Sequence, residues 1–394
     1  MPKYIPRQIE GKDVADNAID HTAVAESFIH LATAAPTAAN DEGTGYAVGN
    51  LWIDYSNGET YVCTASTDED ATWLAQDGSD DVNPPFKIQG STSGFSYSWS
   101  DATSYPGVID AYSFSSDGDA TDHGETVQGS YTSNGSIRTT DHAYQIGAIN
   151  GPGVPGAGKS SIYRWSFTSP ASSADIGEHS LAPTYGTAIG AIGGATDGTY
   201  GFGIGGAGNP PASEQHFDQV EKFTLASPAP SSDSGAELSS ARGYQHGCSD
   251  NSNGYMYSVA GGRPGGNVIE RGAFSISSGT FTDWGDTSAG VEGHAGSASV
   301  TNGYRHGGHS PYVNVIENFP FSSPGNASDV GDLTSASAFG SGSSSTTHGY
   351  RAGGKSSEPT ITNIIDKYSH PAGGNATDVG NLSSISNGGA GTEV

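Results

Sequence analysis

The chain has few cysteines, few basic residues and no long apolar run, and each shortage excludes a class of protein. Its two cysteines, Cys63 and Cys248, lie in different regions of the 394 residues, which argues against a disulfide framework. Fifteen basic residues face 42 acidic ones, giving a formal net charge of −27. This charge opposes binding to nucleic acid and to anionic membrane surfaces. No apolar stretch approaches the roughly 18 residues of a membrane span, and the N terminus lacks a signal-peptide pattern, so we expect neither anchor nor Sec-type address.

Glycine, by contrast, is abundant, with 59 residues, many of them inside a repeated unit. Each copy contains an Ile or Val anchor, at Ile109, Ile162, Val220, Ile269, Ile316 and Ile365, with spacings of 53, 58, 49, 47 and 49 residues. An Asp-x-Gly motif follows each anchor after 13 residues, or after 14 in one copy, beginning at Asp122, Asp175, Asp233, Asp283, Asp329 and Asp378. A fixed offset over six copies predicts a repeat architecture.

Two features of the copies have a direct physical reading. An acidic residue follows the anchor in five of them: Asp110, Glu221, Glu270, Glu317 and Asp366. In Asp-x-Gly, the carboxylate can accept the backbone N–H two residues later, while glycine permits a positive φ, so we predict a turn there.

The strand pattern of one copy indicates a propeller blade. β-branched and aromatic residues follow the anchor, as in Ile109, Tyr112 and Phe114, and a glycine-bounded strand such as 349–354 precedes it. Small-residue strands such as 335–340 lie between copies, which gives about four strands in each unit of roughly 45–55 residues. Glycine, alanine and serine suit an inner strand, where neighbouring backbones approach closely.

The two ends of the repeat region predict how the first blade is completed. The final copy ends with Leu382-Ser-Ser-Ile-Ser-Asn-Gly-Gly-Ala, which resembles the inner strand that starts at Leu333. The first copy begins at Gly94 without an inner strand of its own. We therefore expect the C-terminal strand to complete blade one and remove a sheet edge, with 86–90 as the rival donor.

These repeats, with Gly-Tyr and Gly-Gly followed by Ile-Asp-x-Tyr, resemble kelch-type repeats over about residues 93–394. Only Trp284 fits the tryptophan usual in the outer strand, and two copies lack the glycine pair, so the region is kelch-like. The fold expected is all-β: a six-bladed kelch-like propeller closed by the C-terminal strand, preceded by a short helix and a small β-hairpin module.

The first 92 residues divide into two parts. Apolar residues at three- to four-residue steps predict an amphipathic helix from Asp13 to Ala32, followed by a linker over 34–45. Packing onto its own chain and docking to another copy or protein remain equally open for this helix. Asn57-Gly58 between aromatic strands predicts a hairpin, Trp73 ends a third strand, and 77–85 is a linker. The expected domains are 1–45, 46–92 and 93–394.

Residues 49–75, with Gly-Asn-Leu-Trp-Ile-Asp, Tyr-Val-Cys and Trp in order, resemble a module of bacteriophage tail-fibre and other virion proteins. The repeats ending in Gly-Asn-Ala-Thr-Asp-Val-Gly-Asn-Leu resemble those of marine phage proteins. The resemblance implies a virion structural protein of the tail fibre or spike type, assembled in the host cytoplasm and then extracellular. Residues 1–92 would dock on tail, neck or capsid proteins, and the propeller would bind a host-surface glycan or protein; homo-oligomerisation is compatible with this. The alternative is a capsid decoration protein (head fibre or knob) with an architectural role.

Three groups of residues hint at a ligand, and in each case the simpler interpretation is favoured. Residues 153–160 match a P-loop pattern, but a strand rather than a helix is expected at Ser161, which favours a flexible loop. Asp117, Asp119 and Asp122 offer oxygens to calcium but lack the remaining ligands, which favours a solvated turn. The histidines His246, His294, His306 and His309 lack metal-ligand spacing and are interpreted as loop residues.

No catalytic, cofactor-binding or metal-binding residue is predicted, and we expect the chain not to be an enzyme. A Tyr-Cys copper cofactor, known in kelch-like oxidases, is disfavoured because Cys248 is the only cysteine in the repeats. A glycan-acting enzyme is the third hypothesis and lacks a paired acid and base. Tyr312 could stack on a sugar or pack internally. The loops 148–160 and 207–219 are the preferred contact surface, on one propeller face.

Overall fold

The computed structural model describes residues 29–54, 59–67, 70–75, 86–99, 107–126, 136–147, 160–181, 189–208, 215–227, 229–262, 266–357, 360–370 and 372–394. Contacts divide the chain into two compact units, Met1–Pro85 and Phe86–Val394. The predicted linker 77–85 lies outside the described residues.

The first unit contains one four-stranded sheet. Its strands, in spatial order, are β1 (Ile29–Ala32), β2 (Leu51–Asp54), β3 (Glu59–Thr67) and β4 (Asp70–Ala75), and a short 3-10 helix spans Glu42–Thr44. β1 runs parallel to β2, whereas the other pairs are antiparallel. The predicted hairpin is confirmed by the pairing of β2 with β3, although its Asn57-Gly58 turn lies outside the described residues. Trp73 lies in the third predicted strand, β4.

The predicted helix over Asp13–Ala32 is wrong for its last four residues, which form β1. Residues 13–28 lie outside the described part of the chain. β1 pairs along the edge of β2 with Ile29 opposite Leu51, and the rings of His30 and Trp52 lie 4.1 Å apart. A weak helical periodicity is outweighed here by the strand edge and aromatic surface that the hairpin offers.

The segment predicted as a linker over 34–45 is packed, and this prediction is corrected. Trp52 Nε1 donates to the carbonyl oxygen of Ala34 (2.8 Å), and Trp73 Nε1 donates to that of Asn40 (3.0 Å). Asp41 is only 2% exposed. Buried indole N–H groups need acceptors, so this polar segment is fixed over the aromatic face of the sheet.

In its described residues, the second unit contains six sheets, S1 to S6, numbered in the order in which they follow along the chain. S1 has β5 (Ser93–Trp99), β6 (Gly107–Ser113), β7 (Thr121–Thr126) and β30 (Asn387–Glu393). S2 has β8 (Ile137–Arg138), β9 (His142–Ile146), β10 (Ser161–Ser166) and β11 (Ala174–Glu178). S3 has β12 (Ile189–Gly190), β13 (Gly193–Thr196), β14 (Tyr200–Gly208), β15 (Gln215–Thr224) and β16 (Ser232–Glu237), with β20 (Gly279–Thr280) beside β16. S4 has β17 (His246–Asp250), β18 (Tyr255–Gly261), β19 (Gly266–Ala273) and β21 (Thr282–Asp286). S5 has β22 (Ala295–Ala298), β23 (Asn302–His306), β24 (Val315–Pro320) and β25 (Ser328–Asp332). S6 has β26 (Ser341–Ser344), β27 (His348–Ala352), β28 (Ile364–Ser369) and β29 (Thr377–Asn381).

The C-terminal strand is the partner of β5. β30 pairs with it in antiparallel register, with Thr392 opposite Phe95. The rival donor 86–90 does not pair with β5. The C-terminal strand therefore pairs with the first strand of S1, as the two ends of the repeat region predict.

In five sheets, the acidic residue after the anchor accepts a hydrogen bond from the loop that leaves the previous sheet. All five carboxylates are at most 3% exposed. The bonds are Ser383 N to Asp110 (3.1 Å), Ser180 N to Glu221 (3.3 Å), Ser239 N to Glu270 (3.1 Å), Ser288 N to Glu317 (3.0 Å) and Thr334 Oγ1 to Asp366 (2.6 Å). A buried carboxylate requires such donors, which explains why the position recurs.

The Asp-x-Gly motif forms the predicted hydrogen bond but lies in a strand instead of a turn. Asp378 Oδ1 accepts the N–H of Gly380 at 3.1 Å, inside the outer strand β29. The register slips at this point, because Gly380 faces Ile365 while Asp378 faces Asp366. The motif is therefore a β-bulge, and the turn prediction is corrected: the extra residue is set by pairing with the neighbouring strand.

Close approach explains the small residues of the inner strands, as predicted. A Cβ on Gly342 would lie 2.0 Å from the carbonyl oxygen of Gly296, and one on Gly391 would lie 2.0 Å from that of Gly342. The inner strands β8, β13, β17, β22, β26 and β30 contact one another in this order, and β30 also contacts β8. The second unit is all-β and propeller-like.

Candidate functional site

A short segment lies across one end of the inner strands; we call residues 86–92 the axial strap. The backbone N–H of Gly90 donates to the carbonyl oxygen of Ser344 (2.8 Å), and Gln89 Nε2 donates to that of Ala298 (3.0 Å). The N–H of Thr92 donates to the carbonyl oxygen of Val394 (2.7 Å). Ser344 and Ala298 are the last residues of their strands, and Val394 follows β30, so the strap lies at the C-terminal ends of the inner strands.

Arg138 of β8 holds the strap from S2. Its guanidinium donates to the carbonyl oxygens of Lys87 (2.7 Å), Ile88 (3.0 Å) and Gln89 (3.2 Å). The side chain lies over the ring of Phe86, 4.9 Å from the centroid. Arg138 is 5% exposed, and burial lowers its pKa, an effect that Glu393 opposes. Carbonyl dipoles thus replace water around this cation.

Beneath Ile88 lies an axial cavity lined by residues of the inner strands. The volume of the cavity is about 20 Å³, which is enough for one water molecule. Glu393 also lines this cavity and is 1% exposed. Its carboxylate accepts a hydrogen bond from the N–H of Ser344 at 3.3 Å. Burial raises the pKa of Glu393 to about 8, although Arg138 acts in the opposite direction. Cys248 also lines the cavity and is 5% exposed.

The opposite end of the inner strands carries a series of backbone hydrogen bonds between neighbouring sheets, S3 to S6 and β30, which we call the axial belt. Successive N–H groups donate to the carbonyl oxygen of the preceding sheet's belt residue: Tyr244 to Ala191 (2.9 Å), Gly293 to Tyr244 (3.0 Å), Phe339 to Gly293 (2.6 Å) and Gly388 to Phe339 (2.8 Å). Tyr244, Gly293 and Phe339 each lie two residues before an inner strand, and Gly388 is the second residue of β30. Phe339 has a φ of +56°, a region that favours glycine.

Beside the belt, the loop after β23 carries an aromatic group. His309 Nδ1 lies 3.1 Å from Glu292 Oε1, and its ring centroid lies 4.7 Å from Tyr312 and 5.7 Å from Phe339. Tyr312, a predicted sugar-stacking candidate, is thus half-buried against His309. The geometry fits internal packing and leaves part of the aromatic group open at the surface.

The histidine prediction is wrong for two of its four members, because His246 lies in β17 and His306 in β23. His294 lies directly before β22, outside a strand, but it is buried like these two: the exposures of His246, His294 and His306 are 5%, 1% and 1%, whereas His309 is partly exposed. Burial lowers the pKa of His246 to about 3 and that of His294 and His306 well below the usual value. Within the described residues, no group of three or more His, Cys, Asp or Glu side chains is placed to hold a metal ion.

The structure separates the predicted calcium carboxylates into three hydrogen-bonding roles. Asp117 pairs with Lys367 at 2.8 Å, Asp119 accepts the N–H of Asn381 at 2.9 Å, and Asp122 accepts that of Gly124 at 2.9 Å. The first two contacts connect S1 with S6. These residues are therefore used in bonds between and within sheets.

Two other predicted regions fall largely outside the described residues. Residues 153–159 of the P-loop pattern lie there, and β10 begins directly after it, at Ser161. Most of the preferred contact loops, 148–159 and 209–214, lie there as well. The strand ends beside them, Ile146 and Gly208, are at the belt end of S2 and S3.

The first unit exposes one apolar sheet face. It consists of Ile29, Leu31, Leu51, Ile53, Val62 and Leu74, which are neighbours in the strand register. Ile29, Leu31 and Leu74 are 47%, 44% and 40% exposed. The opposite face carries the buried Trp52, Tyr61 and Trp73. A row of exposed apolar side chains of this kind is a candidate interaction surface.

Across the described residues, no helix is long and apolar enough to cross a membrane. No family model matches the sequence. No curated protein matches it either. Among solved structures 252 chains match, including one titled "Structure of YjhT". It has a TM-score of 0.51 at 13% identity, covering 66% of this chain and 87% of that chain. The chain is therefore similar to YjhT in fold.

Proposed function

We propose that S1 to S6 are the blades of a closed, six-bladed, kelch-like propeller. The cyclic order of the inner-strand contacts supports this, because β30 contacts both β26 and β8. The pairing of β30 with β5 supports it further, since the last strand of the chain then completes the first blade. A ring built in this way leaves few exposed sheet edges.

The propeller belongs to a structural protein of a bacteriophage particle, of the tail fibre or spike type. One observation carries this proposal: the chain enters the second unit on its axis, through the strap, at the end opposite the belt and the loops beside it. In this proposal the first unit attaches the chain to the particle, and the propeller loops beside the belt bind the host. Loops on a rigid scaffold are suited to recognition, here of a host-surface glycan or protein.

The first unit docks on another virion protein through its apolar sheet face. Burying a Leu or Ile side chain contributes roughly 1.5–3 kcal/mol, so the three most exposed residues alone supply substantial binding energy. The resemblance of residues 49–75 to a virion-protein module supports this assignment of the first unit. The protein acts by binding, without a cofactor or catalytic residue.

Charge substitutions on the apolar face test the attachment. In phage particles assembled with Leu31→Lys, we expect incorporation to fall at least tenfold. The matched control is Ile385→Lys, since Ile385 is equally exposed at 45% but belongs to the second unit. Normal incorporation of Leu31→Lys, with the purified variant still folded, would reject docking through this face.

The alternative, a capsid decoration protein with an architectural role, predicts the same loss of incorporation. Host binding separates the two proposals. The fragment 86–394, which keeps the strap, should bind host cells if the propeller recognises a receptor. Absence of binding by a folded fragment would favour decoration, and turnover of a glycan would instead favour an enzyme.

A further inference from the structure

The axial strap touches all six sheets of the second unit. Phe86 packs on Gly198 of S3, and Ile88 belongs to the same apolar cluster as Cys248 of S4. Gln89 donates a hydrogen bond to the carbonyl oxygen of Ala298 of S5. Gly90 bonds to Ser344 of S6, and Arg138 of S2 binds three strap carbonyls.

The contacts with S1 involve the closing strand itself. The N–H groups of Ser91 and Thr92 and the hydroxyl of Thr92 all donate to the carbonyl oxygen of Val394, at 3.0, 2.7 and 2.9 Å. Ser93, the first residue of β5, donates to the same oxygen at 3.0 Å. One carbonyl at the end of β30 thus collects four donors from the strap and its continuation.

We propose that the axial strap is a latch: this segment, with which the second unit begins, holds the closing strand and all six sheets together, and its release opens the axial cavity. Load on the first unit reaches the second through this segment. Because the strap contacts every sheet, by hydrogen bonds or by packing, such load is shared by all six sheets instead of by β5 alone. The latch does not depend on the virion assignment.

The thiol of Cys248 reports whether the latch is open. Cys248 lines the cavity beneath Ile88, and burial raises the pKa of its thiol, so the thiol reacts slowly while the cavity is closed. Cys63 is the other free cysteine of the chain, and Cys63→Ser leaves Cys248 as the only thiol. A maleimide can then be used in the full chain under native conditions.

Arg138→Leu removes the donors that bind the strap carbonyls. We expect Cys248 in this variant to be labelled at least tenfold faster than in a control of equal unfolding free energy. The control is Tyr144→Phe, which loses the bond from the Tyr144 hydroxyl to the carbonyl oxygen of Leu225 (2.7 Å), adjusted with urea. If Cys248 is labelled at the same rate in both variants when their unfolding free energies are equal, the latch proposal is wrong.

A milder variant keeps the test valid if Arg138→Leu fails to fold. Gln89→Ala removes only the side-chain bond to Ala298 and leaves Arg138 in place. We expect threefold or faster labelling relative to the same control. An unchanged labelling rate in this variant would equally reject the latch.

Discussion

At the scale of single residues, buried charge determines how the sheets are joined. Glu317 accepts the N–H of Ser288 and forms an ion pair with Arg305 at 2.6 Å, and both charged side chains are at most 1% exposed. Removing one partner of such a pair leaves the other desolvated and unpaired. Each repeated acid is thus fixed by the donors around it as much as by its own strand.

Glu317→Gln should lower the free energy of unfolding by roughly 3 kcal/mol, because Arg305 loses its buried counter-charge. The matched control is Glu125→Gln on β7, where the side chain is exposed and the expected change is below about 0.5 kcal/mol. Urea unfolding measures both. Equal values for the two variants would contradict this role.

Glu393 should make stability fall as pH rises. Its pKa is about 8 in the folded chain, well above the ordinary value of 4.5, so the folded state binds the proton more tightly. The stabilisation is present below about pH 4.5 and is lost as pH rises to about 8. Relative to Glu393→Gln, the wild type should lose roughly 3–5 kcal/mol over this window. Urea unfolding of both proteins from pH 5 to 9 measures the difference, and a constant difference would contradict it.

At the scale of elements, the outer-strand bulge packs each sheet against the next. Gly380 has a φ of +155°, and a Cβ there would lie 2.1 Å from the carbonyl oxygen of Gly118. Gly118 itself has a φ of +156°, but a Cβ there would meet nothing within 4 Å. The two glycines therefore have nearly the same φ and differ in the space around their Cα atoms.

Gly380→Ala should destabilise the chain by about 2 kcal/mol more than Gly118→Ala, because only the first adds a backbone clash. Thermal unfolding of both variants gives the comparison. If the two variants lose the same stability, conformation alone explains the glycine, and the packing role of the bulge is wrong.

The sequence predicts repeated elements better than single ones. The Asp-to-Gly hydrogen bond is local and was predictable, whereas the bulge depends on register with a partner strand. The sequence predicts a helix where β1 lies, because the pairing of β1 with β2 joins residues about 20 positions apart and local periodicity does not reveal it. His246 and His306 gave no sign of burial because their spacing does not reveal which neighbour they face.

At the scale of the whole molecule, sequence reasoning missed the strap. Its contacts join residues 87–89 to Arg138, and Ser91 and Thr92 to Val394, and no local pattern encodes such sequence separations. The only signal was the apolar Phe86 and Ile88 in a segment considered as a rival strand. The apolar face of the first unit was also missed, because its register required β1.

Closure of the ring by the last strand is the central claim, and a register-specific cross-link tests it most directly. Phe95→Cys with Thr392→Cys, in a chain lacking Cys63 and Cys248, places two thiols on directly opposed residues of β5 and β30. We predict a disulfide in the monomer, detected by peptide mass. The pair Phe95→Cys with Ala390→Cys, two positions out of register, should stay reduced. No cross-link in the first pair, or equal cross-linking in both, would contradict a ring closed by β30.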